Sequence, residues 1–171
     1  RVTPVKNQGH CGSCWTFSTV GAMESHALIT HNSTPSPRFN FSEQQLVDCA
    51  FEFDNHGCNG GLPSHAFEYI KLRGSLESRT TYPYVAEDQT CSHEYSNSVV
   101  TTSGSFNITQ GDEDQLHEAI AQEGPVSVSY QVREGFTDYE SGVYTNDECG
   151  QTTLDVNHAV LAVGYGDEKG V

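Results

Sequence analysis

The chain has 171 residues, enough for one domain or one two-lobed unit with a substantial hydrophobic core. It carries 8 Lys and Arg against 23 Asp and Glu, a formal net charge of −15 at pH 7. This charge repels phosphate backbones and anionic lipid, and no run of about 18 apolar residues is present. Neither nucleic acid nor a membrane is therefore expected as a partner.

Helical patterns dominate the first two thirds of the chain. Apolar residues recur at helical spacing after Cys14, and Ser42 followed by Gln45 forms a capping-box pattern. Pro63 is a typical first helical residue and Gly74 a typical stop. Asp112 is a typical helix cap, and the Gly124–Pro125 pair is a typical helix end. Together these signals predict helices over about 14–29, 42–50, 63–74 and 112–124.

After about residue 100 the hydrophobic period changes to two. The segment "PVSVSYQV" (125–132) alternates apolar and polar residues, and "HAVLAVGYG" (158–166) is a short apolar run typical of a buried strand. We therefore expect a helical lobe over about 10–98 and a strand-rich lobe over about 99–171, with a cleft between them.

The cysteines and glycosylation motifs favour an oxidising, secretory route. The chain has six cysteines and three acceptor sequons, at Asn32, Asn40 and Asn107. The opening residues "RVTPVKNQG" lack the apolar core of a signal peptide. We expect this sequence to be an interior piece of a longer precursor.

The segment "NQGHCGSCWTFS" (7–18) places two cysteines in a C-x-x-C pattern, for which four interpretations exist: a disulfide, a redox pair, half of a zinc site, or a nucleophile beside a structural cysteine. A redox pair usually follows a strand, but only ten residues with Pro4 and Gly9 precede Cys11. A zinc site needs a second ligand pair, and no other cysteines or histidines have that spacing. A nucleophilic Cys14 remains, with a buried or bridged Cys14 as the alternative.

Cys14 and His158 are the candidates for a catalytic pair. The first turn of a helix favours a thiolate, the reactive form of cysteine. Among eight histidines, His158 alone heads a long apolar run, so its backbone is expected to be fixed at a strand end beside the cleft. A core histidine without a catalytic role is the alternative.

Several motifs resemble those of one family. The sequence C-G-S-C-W matches the signature around the nucleophile of papain and the cathepsins, and His158 follows Cys14 by 144 residues, within the expected interval. The segments "GCNGGLPSHAFEYI", "YPY", "SGVYT" and "VNHAVLAVGYG" also resemble papain-like segments, in the family's order over essentially the whole chain. The chain resembles papain-like cysteine peptidases and is most similar to their cathepsin H and aleurain branch.

This resemblance implies an α+β, two-lobed fold with a helical left lobe and an antiparallel β-barrel right lobe. It implies a monomeric cysteine-type peptidase without a metal or another cofactor. The implied partners are peptide and protein substrates, the enzyme's own propeptide and cystatin-like inhibitors. The implied location is the lysosome or vacuole, or outside the cell.

The resemblance also assigns roles to individual residues. Cys14 would be the nucleophile, and His158 would pair with it and protonate the leaving amine. The Gln8 side chain and the backbone N–H of Cys14 would form an oxyanion hole. Gly60 and Gly61 would let an extended substrate approach the backbone, although a plain turn is the alternative.

The family's disulfide pattern pairs Cys11 with Cys58 and Cys49 with Cys91, each bridge stabilising the fold by roughly 4 kcal/mol in the chain-entropy model. This pattern leaves Cys149 unpaired within residues 1–171. We expect its partner to lie beyond Val171. The family's asparagine that orients the histidine, and the tryptophan that covers it, are expected there too. We therefore expect residues 1–171, expressed alone, to be poorly stable and inactive.

Other functional classes are compatible with the sequence. A non-catalytic, disulfide-stabilised binding protein would have the same fold, and a thioredoxin-like oxidoreductase would use the C-x-x-C pair. The cathepsin H resemblance implies trimming from the amino end when a propeptide remnant fills part of the cleft. The balance between aminopeptidase and endopeptidase action stays open.

Overall fold

The computed structural model describes residues 1–167. Its α-helices are α1 (Cys14–Thr30), α2 (Glu43–Cys49), α3 (Pro63–Arg73) and α4 (Glu113–Gln122). Its strands are β1 (Leu76–Glu77), β2 (Ser98–Val100), β3 (Val126–Tyr130) and β4 (His158–Ala162). Strand β1 pairs with β2 and strand β3 with β4, both antiparallel.

The local signals for helix ends are confirmed. The Ser42 hydroxyl accepts a hydrogen bond from the Gln45 N–H at 3.0 Å, at the start of α2. The Asp112 carboxylate accepts one from the Gln115 N–H at 2.8 Å, at the start of α4. Helix α3 ends at Gly74, whose φ of +91° is left-handed, a conformation that costs glycine little.

Helix α1 is the central element, packed against α2 and α3 on one side and against β3 and β4 on the other. Because neighbours cover it on several sides, α1 buries polar as well as apolar residues. The largest fully buried apolar side chains of the helical lobe are Trp15, Val20, Leu28, Leu46, Val47, Ile70 and Leu76.

Strands β1 and β2 pair close to the predicted boundary between the lobes. Leu76 of β1 lies opposite Val100 of β2, so the pairing holds residues 98–100 to the helical lobe. The second lobe contains α4 and the β3–β4 pair, in which Tyr130 lies opposite His158 and Val126 opposite Ala162.

The prediction that β4 is a buried strand is wrong except at Ala159, which is 7% exposed. Helix α1 covers one face of the β3–β4 pair, with Leu161 of β4 lying against Gly21 of α1. The other four residues of β4 are half-buried. The apolar face of α4 is likewise half-buried, at Leu116, Ala119 and Ile120.

Two disulfides stabilise the helical lobe, Cys11–Cys58 and Cys49–Cys91, the pairs that the resemblance implied. Cys14 is a free, half-exposed thiol, and Cys149 is a free, exposed thiol. The predicted partner of Cys149 beyond Val171 lies outside the described residues and stays a prediction.

Candidate active site

Cys14 is the first residue of α1. Ser13, the preceding N-cap residue, is fully buried, but its hydroxyl does not accept a hydrogen bond from the first turn of the helix. That turn also contains no acidic residue. The Thr16 N–H donates to the Ser13 carbonyl at 2.9 Å, whereas the Cys14 and Trp15 N–H groups have no acceptor among the described residues. These two groups are therefore available to stabilise negative charge beside the Cys14 thiol.

The loop before Cys14 is held close to a second loop. The Cys11–Cys58 disulfide joins the two, and the Gly12 N–H donates to the Cys58 carbonyl at 2.9 Å. A Cβ atom on Gly12 would lie 2.5 Å from that carbonyl oxygen, so only glycine fits at this position. The Gln8 side-chain amide donates to the Cys11 carbonyl at 2.9 Å, which leaves its second N–H free for another acceptor.

Gly60 and Gly61 lie in the second of these loops. Gly60 has φ +113° and ψ 174°, a combination open essentially only to glycine, and no atom of residues 1–167 lies within 4 Å of a Cβ built on it. A Cβ on Gly61 would lie 2.8 Å from the Trp15 ring and 2.5 Å from the Asn55 side chain. Gly60 therefore leaves open space above the backbone, whereas Gly61 packs tightly against the residue that follows Cys14.

His158 is the first residue of β4, and its ring is half-buried. Burial lowers the pKa of His158, and neither a neighbouring charge nor a hydrogen bond contributes among the described residues. The ring borders an open cavity of about 500 Å³, lined also by Val132, Phe136, Thr137 and Asn157. The site thus has room for part of a ligand next to the His158 ring.

Asn157 holds the backbone just before His158. Its side-chain oxygen accepts from the Val132 N–H at 2.7 Å, and its side-chain nitrogen donates to the Val132 carbonyl at 3.1 Å. The Asn157 N–H donates to the Tyr130 carbonyl at 3.2 Å. Asn157 therefore continues the ladder of β3 and β4 past the strand end and limits movement of His158.

The packing of α1 on β4 brings Cys14 and His158 to the same end of the two elements. The Ser18 hydroxyl donates to the Val160 carbonyl at 2.6 Å, and Gly21 lies against Leu161, so α1 and β4 run in the same direction. From Ser18 back to Cys14 is about 6 Å of helix rise. From Val160 back to His158 is about 6.6 Å of strand.

The described residues contain no group of three or more His, Cys, Asp or Glu side chains that could hold a metal ion. Within residues 1–167, no helix combines the length and the apolar character needed to cross a bilayer. The groups that the site does offer are the Cys14 thiol, the His158 imidazole, the Gln8 amide and the backbone N–H groups at the start of α1.

Known proteins that are similar to this chain agree with this geometry. A sequence profile described as papain family cysteine protease matches residues 1–171. The chain belongs to the papain family of cysteine proteases. It is 58% identical over 170 residues to cysteine proteinase 2 of Zea mays, 54% to thiol protease aleurain of Arabidopsis thaliana and 50% to pro-cathepsin H of Bos taurus.

These alignments cover 99% of this papain-family chain but 46%, 46% and 50% of the three relatives. The chain therefore spans about half the length of the relatives it matches. Among solved structures, digestive procathepsin L 3 of Tenebrio molitor larval midgut matches with a TM-score of 0.90 and 39% identity. That match covers 99% of this chain and 53% of the other, and it confirms the predicted papain-like α+β fold.

The three sequons of this papain-family chain have different surroundings. Asn32 and Asn107 are exposed. Asn40 is half-buried, its side-chain oxygen is fully enclosed without a hydrogen-bond partner, and the Ser42 of its sequon is fully buried. Asn32 and Asn107 therefore remain the better candidates for glycosylation.

Three residues that support the site were not predicted from the sequence: Ser13, Asn157 and Tyr84, whose hydroxyl lies 2.6 Å from the Ser13 hydroxyl. The "YPY" segment was the available signal for Tyr84, because it was one of the segments that carried the family resemblance. Its contact with Ser13 joins residues 71 positions apart, which no local pattern predicts.

We expect Gly61→Ala to lower the free energy of unfolding by about 1–3 kcal/mol, because the new methyl group overlaps the buried Trp15 ring. Urea unfolding of the full-length protein measures this change. Gly164→Ala is the control: its methyl group enters open space, and stability should change by less than about 0.5 kcal/mol. Equal stability of the two variants would contradict the packing argument.

Proposed function

We propose that the full-length protein is a cysteine-type peptidase that hydrolyses peptide bonds through a thioester intermediate. The observation that carries this proposal is the placement of a free, half-buried Cys14 at the start of α1 and of His158 at the start of β4. The two residues lie at the same end of packed elements, and a cavity borders the histidine. Membership of the papain family supports the same chemistry.

The proposed reaction has two steps, acylation and deacylation. The Cys14 thiolate attacks the peptide carbonyl carbon, a carbon–sulfur bond forms, and the carbonyl oxygen takes the negative charge. As the carbon–nitrogen bond breaks, the His158 imidazolium gives its proton to the leaving amine. Water then attacks the thioester carbonyl carbon and passes a proton to His158. The carbon–sulfur bond breaks, the acid product leaves, and the Cys14 thiolate and the His158 imidazolium are regenerated.

Two donors are proposed to stabilise the oxyanion of both steps. The first is the backbone N–H of Cys14 at the start of α1, where the helix dipole favours negative charge. The second is the N–H of the Gln8 side chain that is not bonded to Cys11. Because both donors are held in place before the charge develops, they need no reorganisation during the reaction.

The names of the relatives support one of the proposed partners, the propeptide. The names pro-cathepsin H and procathepsin L indicate precursor forms, which supports regulation of this protein by its own propeptide. Peptide and protein substrates, cystatin-like inhibitors and action as a monomer without a cofactor are the further parts of the proposal. The proposed location is the lysosome or vacuole, or outside the cell.

The alternatives are less well supported. The Cys11–Cys58 disulfide removes Cys11 from a redox pair with Cys14, which argues against a thioredoxin-like oxidoreductase. A non-catalytic binding protein of the same fold would need neither a free thiol at the start of α1 nor a histidine beside a cavity.

Labelling of the full-length protein with a thiol-reactive peptidyl epoxide tests the proposal. We expect one equivalent of label on Cys14, located by mass spectrometry, and loss of peptide amide hydrolysis in proportion to labelling. A Cys14→Ser variant should neither be labelled at this position nor hydrolyse the peptide. Hydrolysis that survives complete labelling, or wild-type activity of Cys14→Ser, would refute the proposal.

A further inference from the structure

We propose that Tyr84 is a positioning residue for the oxyanion-binding loop, defined as residues 8–13. This inference rests on the proposed peptidase function and adds a residue outside the loop that controls its shape. The Tyr84 hydroxyl joins the two ends of the loop, since it lies 2.6 Å from the Gln8 carbonyl oxygen and 2.6 Å from the Ser13 hydroxyl.

The donors and acceptors of this contact have one consistent arrangement. The backbone carbonyl of Gln8 can only accept a hydrogen bond, so Tyr84 must donate its single hydroxyl hydrogen to it. The Ser13 hydroxyl must then donate to the Tyr84 oxygen. Ser13 is fully buried, and its other contact, with the Cys11 carbonyl at 3.5 Å, is at the limit for a hydrogen bond.

The Tyr84 ring is held in place independently of its hydroxyl. Its centroid lies 5.0 Å from that of Phe17, with the planes at 84°, an edge-to-face contact. The Arg79 guanidinium carbon lies 5.4 Å from the centroid of the Tyr84 ring. Burial raises the pKa of Tyr84, so the hydroxyl stays protonated as the donor that Gln8 requires.

The loop ends that Tyr84 joins carry the two proposed oxyanion donors. Gln8 provides the side-chain donor, and Ser13 immediately precedes Cys14, which provides the backbone donor. The middle of the loop is fixed separately by the Cys11–Cys58 disulfide. Loss of the Tyr84 hydroxyl therefore leaves the loop attached but frees its ends, and the oxyanion donors move relative to each other.

A donor that moves weakens binding of the transition state more than binding of the substrate. Removal of a complete oxyanion donor costs about 10²- to 10³-fold in kcat. Displacement of donors that are still present costs less, and we expect a fall in kcat of about 10-fold with KM within about two-fold of the parent.

Tyr84→Phe in the full-length protein tests the inference, because it removes the hydroxyl and keeps the ring contacts with Phe17 and Arg79. We expect the fall in kcat to be matched by weaker inhibition by a peptide aldehyde, whose tetrahedral thiol adduct places an oxygen in the oxyanion site. The rate of Cys14 alkylation by iodoacetamide, which forms no oxyanion, should be unchanged. Ser13→Ala, which removes the other hydroxyl, should show the same selective pattern.

Tyr82→Phe is the matched control from the same segment. Its hydroxyl donates to the Asp48 carboxylate at 2.8 Å, away from the oxyanion-binding loop, so its loss should lower stability without the selective loss of aldehyde inhibition. A folded Tyr84→Phe variant with parental kcat and aldehyde affinity would overturn the inference, as would an equal fall in the alkylation rate. A parent protein without peptidase activity would refute the proposed function itself.

Discussion

Replacing His158 with alanine should lower kcat for peptide amide hydrolysis by about 10²- to 10⁴-fold in the full-length protein. The imidazole is the group proposed to exchange protons with Cys14 and the leaving amine, and it lies at the same end of the α1–β4 pair as Cys14. KM should change little, because the ring contributes to proton transfer more than to substrate binding. Steady-state kinetics on a fluorogenic peptide amide measure both constants.

His31→Ala is the matched control, since His31 is an exposed histidine at the opposite end of α1. We expect parental kinetics from this variant. Slower alkylation of Cys14 by iodoacetamide in His158→Ala than in the parent protein would link the defect to the proposed pair. Near-parental kcat in His158→Ala would remove His158 from the mechanism.

The titration of His158 provides a second test of its surroundings. Burial lowers the pKa of His158 below its ordinary value of 6.5, so a Cys14→Ala variant, which has no thiolate, should show a lowered pKa by NMR. Because the folded pKa lies below the unfolded one, the stability that His158 contributes is complete above the unfolded pKa. It is lost as the pH falls through the folded pKa. A pKa above 6.5 in Cys14→Ala would contradict this account.

The helices could be predicted because their ends are coded locally. Ser42 and Asp112 begin helices and Gly74 ends one, each through contacts within four residues. Each acts as its sequence context indicates. The capping box at α2 is only half formed, however. The Gln45 side chain bonds to Tyr69, Ser75 and Glu77 instead of returning to Ser42, because these buried partners come from other elements.

The burial of the second lobe could not be predicted from the same patterns. An apolar run such as residues 158–166 indicates a strand, but the number of covered faces depends on which elements pack against it. In this fold α1 covers one face of the β3–β4 pair, through contacts of Ser18 and Gly21 that are remote in sequence. Cys14 and His158 could be identified as candidates from motif spacing. Their placement at the same end of α1 and β4 depends on this packing.

A further feature that the sequence did not indicate is a buried ion network between α1 and α2. Lys6 lies 2.5 Å from the Glu24 carboxylate and 2.7 Å from the Glu43 carboxylate. Both glutamates are fully buried. An Arg79 guanidinium nitrogen lies 3.3 Å from the second oxygen of Glu43. That oxygen accepts no hydrogen bond from the part of the chain that the structure describes.

Lys6→Met should therefore lower the free energy of unfolding at pH 7 by about 3–5 kcal/mol, because it leaves buried carboxylates without their shared partner. Urea unfolding of the full-length protein measures this change. Lys71→Met is the matched control: its contact with Glu68 is 3.9 Å long and about half-exposed, so stability should change by less than about 1 kcal/mol. Similar losses in the two variants would contradict the role of burial.

The pH dependence of the Lys6→Met deficit separates charge from packing. Burial raises the pKa of Glu43, while Lys6 and Arg79 oppose this rise. A carboxyl with a raised folded pKa contributes stability that is complete below its unfolded pKa and is lost as the pH rises through the folded pKa. Without Lys6 this pKa rises further, so the deficit should be largest near pH 7 and shrink as the pH falls toward about 4–5.

A Lys6→Met, Glu43→Gln double variant completes this test. Removing the charge of Glu43 should restore part of the stability lost at pH 7, because a neutral amide costs less to bury than an unpaired carboxylate. Glu24 retains its hydrogen bonds from Thr3 and from the Phe41 N–H, so the remaining carboxylate is still partly compensated. A deficit that is independent of pH and unchanged in the double variant would show that Lys6 acts through packing of its alkyl chain and not through its charge.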